Sequence, residues 1–170
     1  MLVLDGYSPD VLFEKFPYLL DAWGFHTLDK STIFSTFTRN SFPGYPMAIP
    51  NLSDKHLLVV EDDDMGFLYI RQLLMLTQCS LTRARTGAEA LAFFEKERFD
   101  LVLMDIQLPD VDGLTVTKVI RGAAPLIPVI AQTAGKTAED AENAMAAGCN
   151  AVLVKPIMMD SLFEMLTASL

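Results

Sequence analysis

The sequence has little cysteine, little histidine and few basic residues. Its 170 residues include two Cys, two His and one Trp, and 13 Lys and Arg stand against 22 Asp and Glu, which gives a formal net charge of -9. Cys79 and Cys149 lack metal-ligand spacing and lie inside apolar segments, so we expect no disulfide framework and predict that both are buried thiols in a reducing compartment. Because the negative charge repels nucleic acid and anionic lipid, we expect protein partners and no nucleic-acid partner.

Long apolar runs are also absent. No segment is long enough to cross a bilayer, and Met1 to Asp10 carries acid where a secretory signal would carry base. The sequence therefore predicts a cytoplasmic protein with no membrane partner. Its 51% hydrophobic and 21% charged residues are typical of a globular chain with one main core.

The composition changes near residue 53. Six of the 11 Phe, three of the four Tyr, the single Trp and five of the nine Pro precede it. Pro43, Pro46 and Pro50 make Asn40 to Asp54 an irregular connector, because each lacks an amide donor. We therefore predict two parts, an aromatic-rich N-terminal extension and linker (1–54) and a second domain (55–170). The apolar surface of residues 1–52 favours docking on that domain or homodimerisation.

Residues 55–170 alternate short apolar runs with amphipathic helical segments. The five runs predicted as strands are His56 to Val60, Ser80 to Arg85, Asp100 to Met104, Ile127 to Ala131 and Ala151 to Val154. Thr86 and Thr137 each precede an acid by three residues, which predicts capping boxes, and Gly148 predicts a left-handed helix end. This alternation predicts an α/β fold with a parallel sheet covered on both faces.

Acidic residues follow two of the predicted strands. Glu61 and Asp62 come directly after the first, and Asp105 comes directly after the third. If those strands are neighbours, as in the order 2-1-3-4-5, the three carboxylates meet in one crevice at the carboxyl edge of the sheet. Such a cluster costs stability through repulsion unless a cation neutralises it or a proton is retained, and its oxygen ligands suit Mg²⁺. Taken alone, Glu61 to Asp64 could instead be the acidic first turn of a helix.

The fourth and fifth predicted strands end in groups that can bind an anion. Thr133 offers a hydroxyl and Lys155 an ammonium group. Each is weak evidence alone, since a threonine can cap a turn and a lysine can be solvated. Together with the acids they indicate a site for phosphate chemistry.

These residues resemble the receiver domain of two-component response regulators, from about His56 to Leu170. The motifs that carry the resemblance are Val59-Val60-Glu61-Asp62-Asp63, Leu103-Met104-Asp105-Ile106-Gln107-Leu108-Pro109 with Asp112-Gly113, Gln132-Thr133-Ala134 and Val154-Lys155-Pro156. The resemblance implies a flavodoxin-like sheet of order 2-1-3-4-5. It also implies that Asp105 accepts a phosphoryl group.

The resemblance assigns roles to the other residues of the site as well. Glu61, Asp62 and Asp105 would hold Mg²⁺ with the backbone carbonyl of Gln107. Thr133 and Lys155 would contact the phosphoryl oxygens. The donor would be a phosphohistidine on a histidine kinase or phosphotransfer protein, and a downstream target would bind the fourth helix, fifth strand and fifth helix. The domain would catalyse its own phosphorylation and dephosphorylation.

The sequence departs from the family at the position three residues before the lysine. Many receivers have an aromatic switch residue there, whereas this chain has Val152. Gln107 and Gly135 occupy positions that tune dephosphorylation in the family. Three alternatives stay open at this point, namely an unphosphorylated scaffold, the receiver part of a hybrid histidine kinase, and a metal-dependent phosphohydrolase that uses the same carboxylates.

Overall fold

Five apolar runs form parallel strands, and a helix follows each of them. A computed structural model of the chain describes residues 49–135 and 137–170. The strands are β1 (His56–Val60), β2 (Ser80–Ala84), β3 (Leu101–Asp105), β4 (Val129–Thr133) and β5 (Ala151–Val154). The helices are α1 (Asp64–Met75), α2 (Gly87–Lys96), α3 (Gly113–Ala123), α4 (Ala138–Ala147) and α5 (Met159–Ser169).

The sheet has the order β2-β1-β3-β4-β5, and every pair is parallel. This confirms the predicted α/β, flavodoxin-like architecture. In this order β1 lies beside β3, and the chain adds strands to one side of β1 and then to the other. Sheets of this kind bind ligands in the crevice at the carboxyl ends of the two strands where this reversal occurs.

Side chains alternate between two buried faces of the sheet. One face carries Leu58, Val60, Val102 and Met104, which pack in a cluster with buried residues of α2, α3 and α4. Buried residues of α1 and α5 lie outside that cluster, so these two helices cover the other face. Both faces of the sheet are apolar because helices cover each of them.

Three strands differ from their predicted bounds: β2 ends at Ala84 and not at Arg85, and β3 and β4 both begin and end later than predicted. The ladder of β3 includes Asp105, whose partner is Gln132, and the Ile106 amide extends it by donating to the Gln132 carbonyl at 3.0 Å. Strand β4 begins at Val129 and ends at Thr133. Hydrophobicity located the apolar centre of each strand, whereas backbone hydrogen bonds carry both strands into their polar ends.

The predicted helix ends are confirmed at α4. Thr137 and Asp140 form a reciprocal capping box, and Gly148 ends the helix with φ of 101°. At α2 the Thr86 hydroxyl accepts from the Glu89 amide as expected. The second half of that box was wrong, because the Glu89 carboxylate accepts from the amide of Arg85 instead.

Cys149 is buried, as predicted, but Cys79 is half-buried. Cys79 lies immediately before β2, the edge strand of the sheet, where fewer neighbours cover it. Within residues 49–135 and 137–170 no helix has the length and apolar character needed to cross a membrane. The predictions about residues 1–48 lie outside the described residues.

Replacing Gly148 with Ala tests the end of α4. We expect the free energy of unfolding to fall by about 1 kcal/mol or more, because a side chain is strained at positive φ. An added Cβ would also lie 3.2 Å from the Arg121 side chain. Gly122→Ala in α3 is the control, since its Cβ meets nothing within 4 Å, and urea titration should show no loss of stability there.

Candidate functional site

The candidate site lies at the carboxyl ends of β1 and β3. Asp105 is the last residue of β3, and Glu61 and Asp62 follow β1 directly. Glu61 and Asp105 are 1% and 4% exposed, whereas Asp62 is exposed. One carboxylate oxygen of each of the three lies within 4.8 Å of the others. The predicted convergence of these acids is therefore confirmed.

Lys155 brings a positive charge into this cluster from the end of β5. Its ammonium group lies 2.6 Å from Asp105 Oδ2 and 2.7 Å from Glu61 Oε2. Because β4 lies between β3 and β5, the long lysine stem spans a strand to reach both carboxylates. Three carboxylates facing one ammonium leave the cluster with an excess of negative charge.

Burial and pairing oppose each other at these groups. Burial raises the pKa of Glu61 above its ordinary value, and the hydrogen bond from Lys155 offsets only part of this rise. Burial also works against the charge of Lys155, but its hydrogen bonds to Asp105 and Glu61 prevail and hold its pKa above the usual range. The lysine is therefore fixed in its cationic form beside Asp105.

The backbone after β3 supports Asp105. The backbone amide of Gln107 donates to Asp105 Oδ1 at 2.9 Å. Gly113 begins α3 against the end of the strand, where its amide donates to the Ile106 carbonyl at 2.9 Å. A Cβ on Gly113 would collide with the Asp105 carbonyl oxygen, so glycine permits this close approach.

Thr133 and Gln107 border the site without touching its acids through their side chains. Thr133 is 6% exposed at the end of β4, and its hydroxyl accepts from the Gly135 amide at 2.9 Å. Its register neighbour is Val154, directly before Lys155. Gln107 contributes its amide to Asp105, and its predicted role as a carbonyl ligand stays a prediction.

Arg83 supports the acidic loop and was missed from the sequence. From β2 its guanidinium donates to the carbonyl oxygens of Glu61 and Asp62, each at 3.0 Å, and to Asp64 Oδ1 at 2.6 Å. Its charge lies 4.5 Å from the centre of the Phe67 ring. An arginine in a predicted strand gives little indication of this role, because strand register, a tertiary feature, is what places Arg83 beside the acidic loop.

Gln132 is a second residue whose environment the sequence did not reveal. It lies in β4 beside Asp105 and is fully buried. Within the part of the chain that the structure describes, neither its side-chain nitrogen nor its oxygen has a hydrogen-bond partner. An unpaired buried amide costs stability, typically about 1–3 kcal/mol.

Comparison with known families gives one clear match. The family model described as "Response regulator receiver domain" matches residues 57–167, more than half of the chain. The polar-differentiation response regulator DivK of Brucella anthropi is 40% identical over 112 residues, which cover 65% of this chain and 91% of DivK. Transcription factor SKN7 of Candida albicans is 36% identical over 115 residues, 68% of this chain, but the match spans only 21% of SKN7.

Solved structures agree. The receiver domain of a sensor histidine kinase from Pseudomonas aeruginosa, with a magnesium ion coordinated in the active site cleft, matches at TM-score 0.63 and 32% identity, covering 68% of this chain and 96% of that one. A co-crystal structure from Saccharomyces cerevisiae pairs the histidine phosphotransfer protein Ypd1 with the receiver domain of Ssk1. It matches at TM-score 0.65 and 25% identity, and the match covers 72% of this chain and 91% of that one.

Replacing Gln132 with Met tests the cost of its unpaired amide. Methionine keeps the length of the side chain without its polar atoms, so we expect the free energy of unfolding to rise by about 1 kcal/mol. Urea titration measures the change. Gln107→Met at an exposed position is the control and should change stability little. A loss of stability in Gln132→Met alone would contradict the interpretation.

Proposed function

Because this chain belongs to the family of response-regulator receiver domains, we propose that Asp105 accepts a phosphoryl group from a phosphohistidine in a phosphorelay. The observation that carries the proposal is the contact of Lys155 with both Asp105 and Glu61, at 2.6 and 2.7 Å. This arrangement joins the ends of β1, β3 and β5 in a single site. A scaffold without phosphoryl chemistry has no need to assemble it.

In the proposed reaction an Asp105 carboxylate oxygen bonds to phosphorus as the phosphorus–nitrogen bond of the donor breaks. The bonding electrons leave with the imidazole nitrogen, which then takes up a proton. Water later attacks the aspartyl phosphate and releases inorganic phosphate, which regenerates the carboxylate. Catalysis of this kind depends mainly on positioning and on screening of negative charge.

The acidic cluster fits Mg²⁺. Glu61, Asp62 and Asp105 supply hard oxygen ligands, and their charges exceed that of Lys155 by about the two units that a divalent cation carries. We propose that these residues, with the Gln107 carbonyl, hold the ion. When bound, Mg²⁺ supplies charge screening for the carboxylates and the incoming phosphoryl oxygens.

Lys155 and Thr133 complete the proposed site. The Lys155 ammonium already contacts Asp105, so it lies where it can pair with a phosphoryl oxygen after transfer. The Thr133 hydroxyl lies one residue beyond the strand partner of Asp105 and can donate to another oxygen. Receiver chemistry therefore uses the ends of four strands.

The phosphohistidine donor must dock at the edge that carries Asp105. The exposed apolar residues Met65, Leu68 and Tyr69 of α1 border this edge beside the acidic loop. We propose that a histidine kinase or a histidine phosphotransfer protein docks there. In the yeast co-crystal named above, a receiver is paired with such a phosphotransfer protein.

A downstream partner is proposed for the surface of α4, β5 and α5. Met145, Val154 and Met158 give it exposed apolar side chains. Position 152 is a valine, so an aromatic switch cannot operate there. Its side chain is half-buried and packs against the core cluster. Phosphorylation would bias this surface through Thr133 and the loop after it.

We keep the division into 1–54 and 55–170 as a proposal, supported by the family match that begins at residue 57. A part in a hybrid histidine kinase is equally compatible with the site, since one similar structure is the receiver of a sensor kinase. No transcriptional activity is proposed for this chain, because its match spans only 21% of the transcription factor SKN7. The cytoplasmic location stays a prediction.

Intact mass after incubation with acetyl phosphate tests the phosphoryl acceptor. We expect one phosphate adduct that requires Mg²⁺ and is absent from Asp105→Asn, because the amide cannot serve as the nucleophile. Asp112→Asn is the matched control, since Asn caps α3 as well as Asp does. It should label like the wild type.

Two other outcomes separate the alternatives. If no adduct forms and acetyl phosphate is untouched, the chain is an unphosphorylated scaffold. If small phosphate esters turn over steadily without a stoichiometric adduct, the site is that of a metal-dependent phosphohydrolase.

Glu61→Gln tests the electrostatics of the metal site. Burial raises the pKa of Glu61 in the folded state, so the folded protein binds the Glu61 proton more tightly than the unfolded chain does. The free energy of unfolding of the wild type therefore falls as the pH rises through the titration of Glu61. In EDTA we expect Glu61→Gln to flatten this part of the pH profile and to raise the melting temperature at pH 7. Added Mg²⁺ should stabilise the wild type more than the variant.

Glu95→Gln, at an exposed carboxylate of α2, is the control for this experiment. It should keep both the wild-type pH profile and the wild-type response to Mg²⁺. An equal Mg²⁺ response in Glu61→Gln would show that Glu61 is not part of the metal site.

A further inference from the structure

One tyrosine links α1 to the loop that carries Lys155. The Tyr69 hydroxyl donates a hydrogen bond to the carbonyl oxygen of Ile157 at 2.7 Å, across 88 residues of sequence. Tyr69 is the only tyrosine after residue 53. Tyr69 is 46% exposed. Its hydrogen bond to Ile157 therefore lies at the rim of the site and not in the core.

The loop formed by residues 155–158 is also held by the backbone amide of Lys155 and by the buried side chain of Ile157. The Lys155 amide donates to the Thr133 carbonyl at 2.7 Å, which continues the strand ladder. Pro156 has no amide hydrogen, and Met158 caps α5 without a side-chain hydrogen bond. From outside the loop, the Tyr69 hydroxyl donates to the loop's backbone at the Ile157 carbonyl.

A cleft of about 230 Å³ lies between α1 and this loop. Glu61, Lys155 and Tyr69 all line it, together with Ile157. A Cβ on Gly66 would lie 3.0 Å from the Glu61 carboxyl group, so the first turn of α1 packs closely on that acid. Helix α1 thus lies against the Glu61 carboxyl group at Gly66 and bonds the loop that carries Lys155 through Tyr69.

A shift of the loop would move the origin of the Lys155 side chain. The ammonium group must reach across β4 to Asp105, and four flexible methylene groups give it little orientation of its own. Catalytic geometry tolerates only small displacements, since a misplacement of about 1 Å can cost two orders of magnitude in rate. A contact that fixes the loop therefore fixes the point from which the Lys155 side chain reaches Asp105.

We propose that Tyr69 is a positioning residue for phosphoryl transfer. Its hydroxyl holds the loop through Ile157, so that the Lys155 ammonium stays within hydrogen-bond distance of Asp105. This role rests on the proposed function of Asp105 and Lys155. It assigns to α1 a part in the reaction besides any part in docking.

Tyr69→Phe tests the proposal by removing one oxygen atom and keeping the ring. The rate constant for phosphorylation by acetyl phosphate with saturating Mg²⁺ is measured as a function of donor concentration. We expect the maximal rate to fall by about three- to tenfold, the range expected for one lost hydrogen bond, with the half-saturating donor concentration unchanged. Amide hydrogen exchange should accelerate at Ile157 and Met158.

Thr167→Val is the matched control. It also removes one hydroxyl that donates to a backbone carbonyl, that of Phe163 at 2.8 Å, but within α5 and away from Lys155. We expect this variant to phosphorylate at the wild-type rate. Tyr69→Leu, which also lacks the hydroxyl, should be at least as slow as Tyr69→Phe.

The outcomes separate this inference from the proposed function. If the wild type forms no adduct, the proposed function falls and the positioning role falls with it. If the wild type is phosphorylated and Tyr69→Phe matches Thr167→Val in rate, the positioning role alone is wrong. Equal slowing in both variants, with a general increase in hydrogen exchange, would mean that the hydroxyl acts only on stability and would also overturn the role.

Discussion

The contact between the Lys155 ammonium and the buried carboxylates of Asp105 and Glu61 is the interaction on which the rest of this site depends. Two acids that are almost fully buried repel each other and lose their hydration, and both effects cost stability. A single ammonium group at 2.6 and 2.7 Å offsets part of this cost. The remaining negative charge leaves the cluster suited to a divalent cation, so the same imbalance that costs stability prepares the proposed chemistry.

Several residues maintain this arrangement without belonging to it. Arg83 braces the backbone of Glu61 and Asp62 from the edge strand, and Gly113 lets α3 begin against the Asp105 carbonyl. Tyr69 ties the Lys155 loop to α1. Each comes from a different element, so the site is held on several sides by the fold. Gln132 is buried beside Asp105, and its side-chain polar atoms have no hydrogen-bond partner within residues 49–135 and 137–170.

Much of the fold could be predicted because its signals are local. Five apolar runs separated by helical periodicity specify a parallel sheet, and Thr137 with Asp140 and Gly148 mark the ends of α4. The errors concern one long-range contact and one local hydrogen bond. Asp105 belongs to the β3 ladder because Gln132 pairs with it, and the Glu89 carboxylate turned to the amide of Arg85. The partner strand is not visible in a local pattern, and the capping pattern alone does not decide whether the Glu89 carboxylate accepts from Thr86 or from Arg85.

The sequence by itself determined the fold class, the acids at the strand ends and their family resemblance, because residue type and spacing carry that information directly. Only the tertiary structure decided how the charges are paired. Lys155 reaches Glu61 across 94 residues, and Tyr69 reaches Ile157 across 88. Such contacts depend on strand order and register, which place distant residues side by side. Burial, which sets the direction of the pKa shift of Glu61, likewise exists only once the helices cover the sheet.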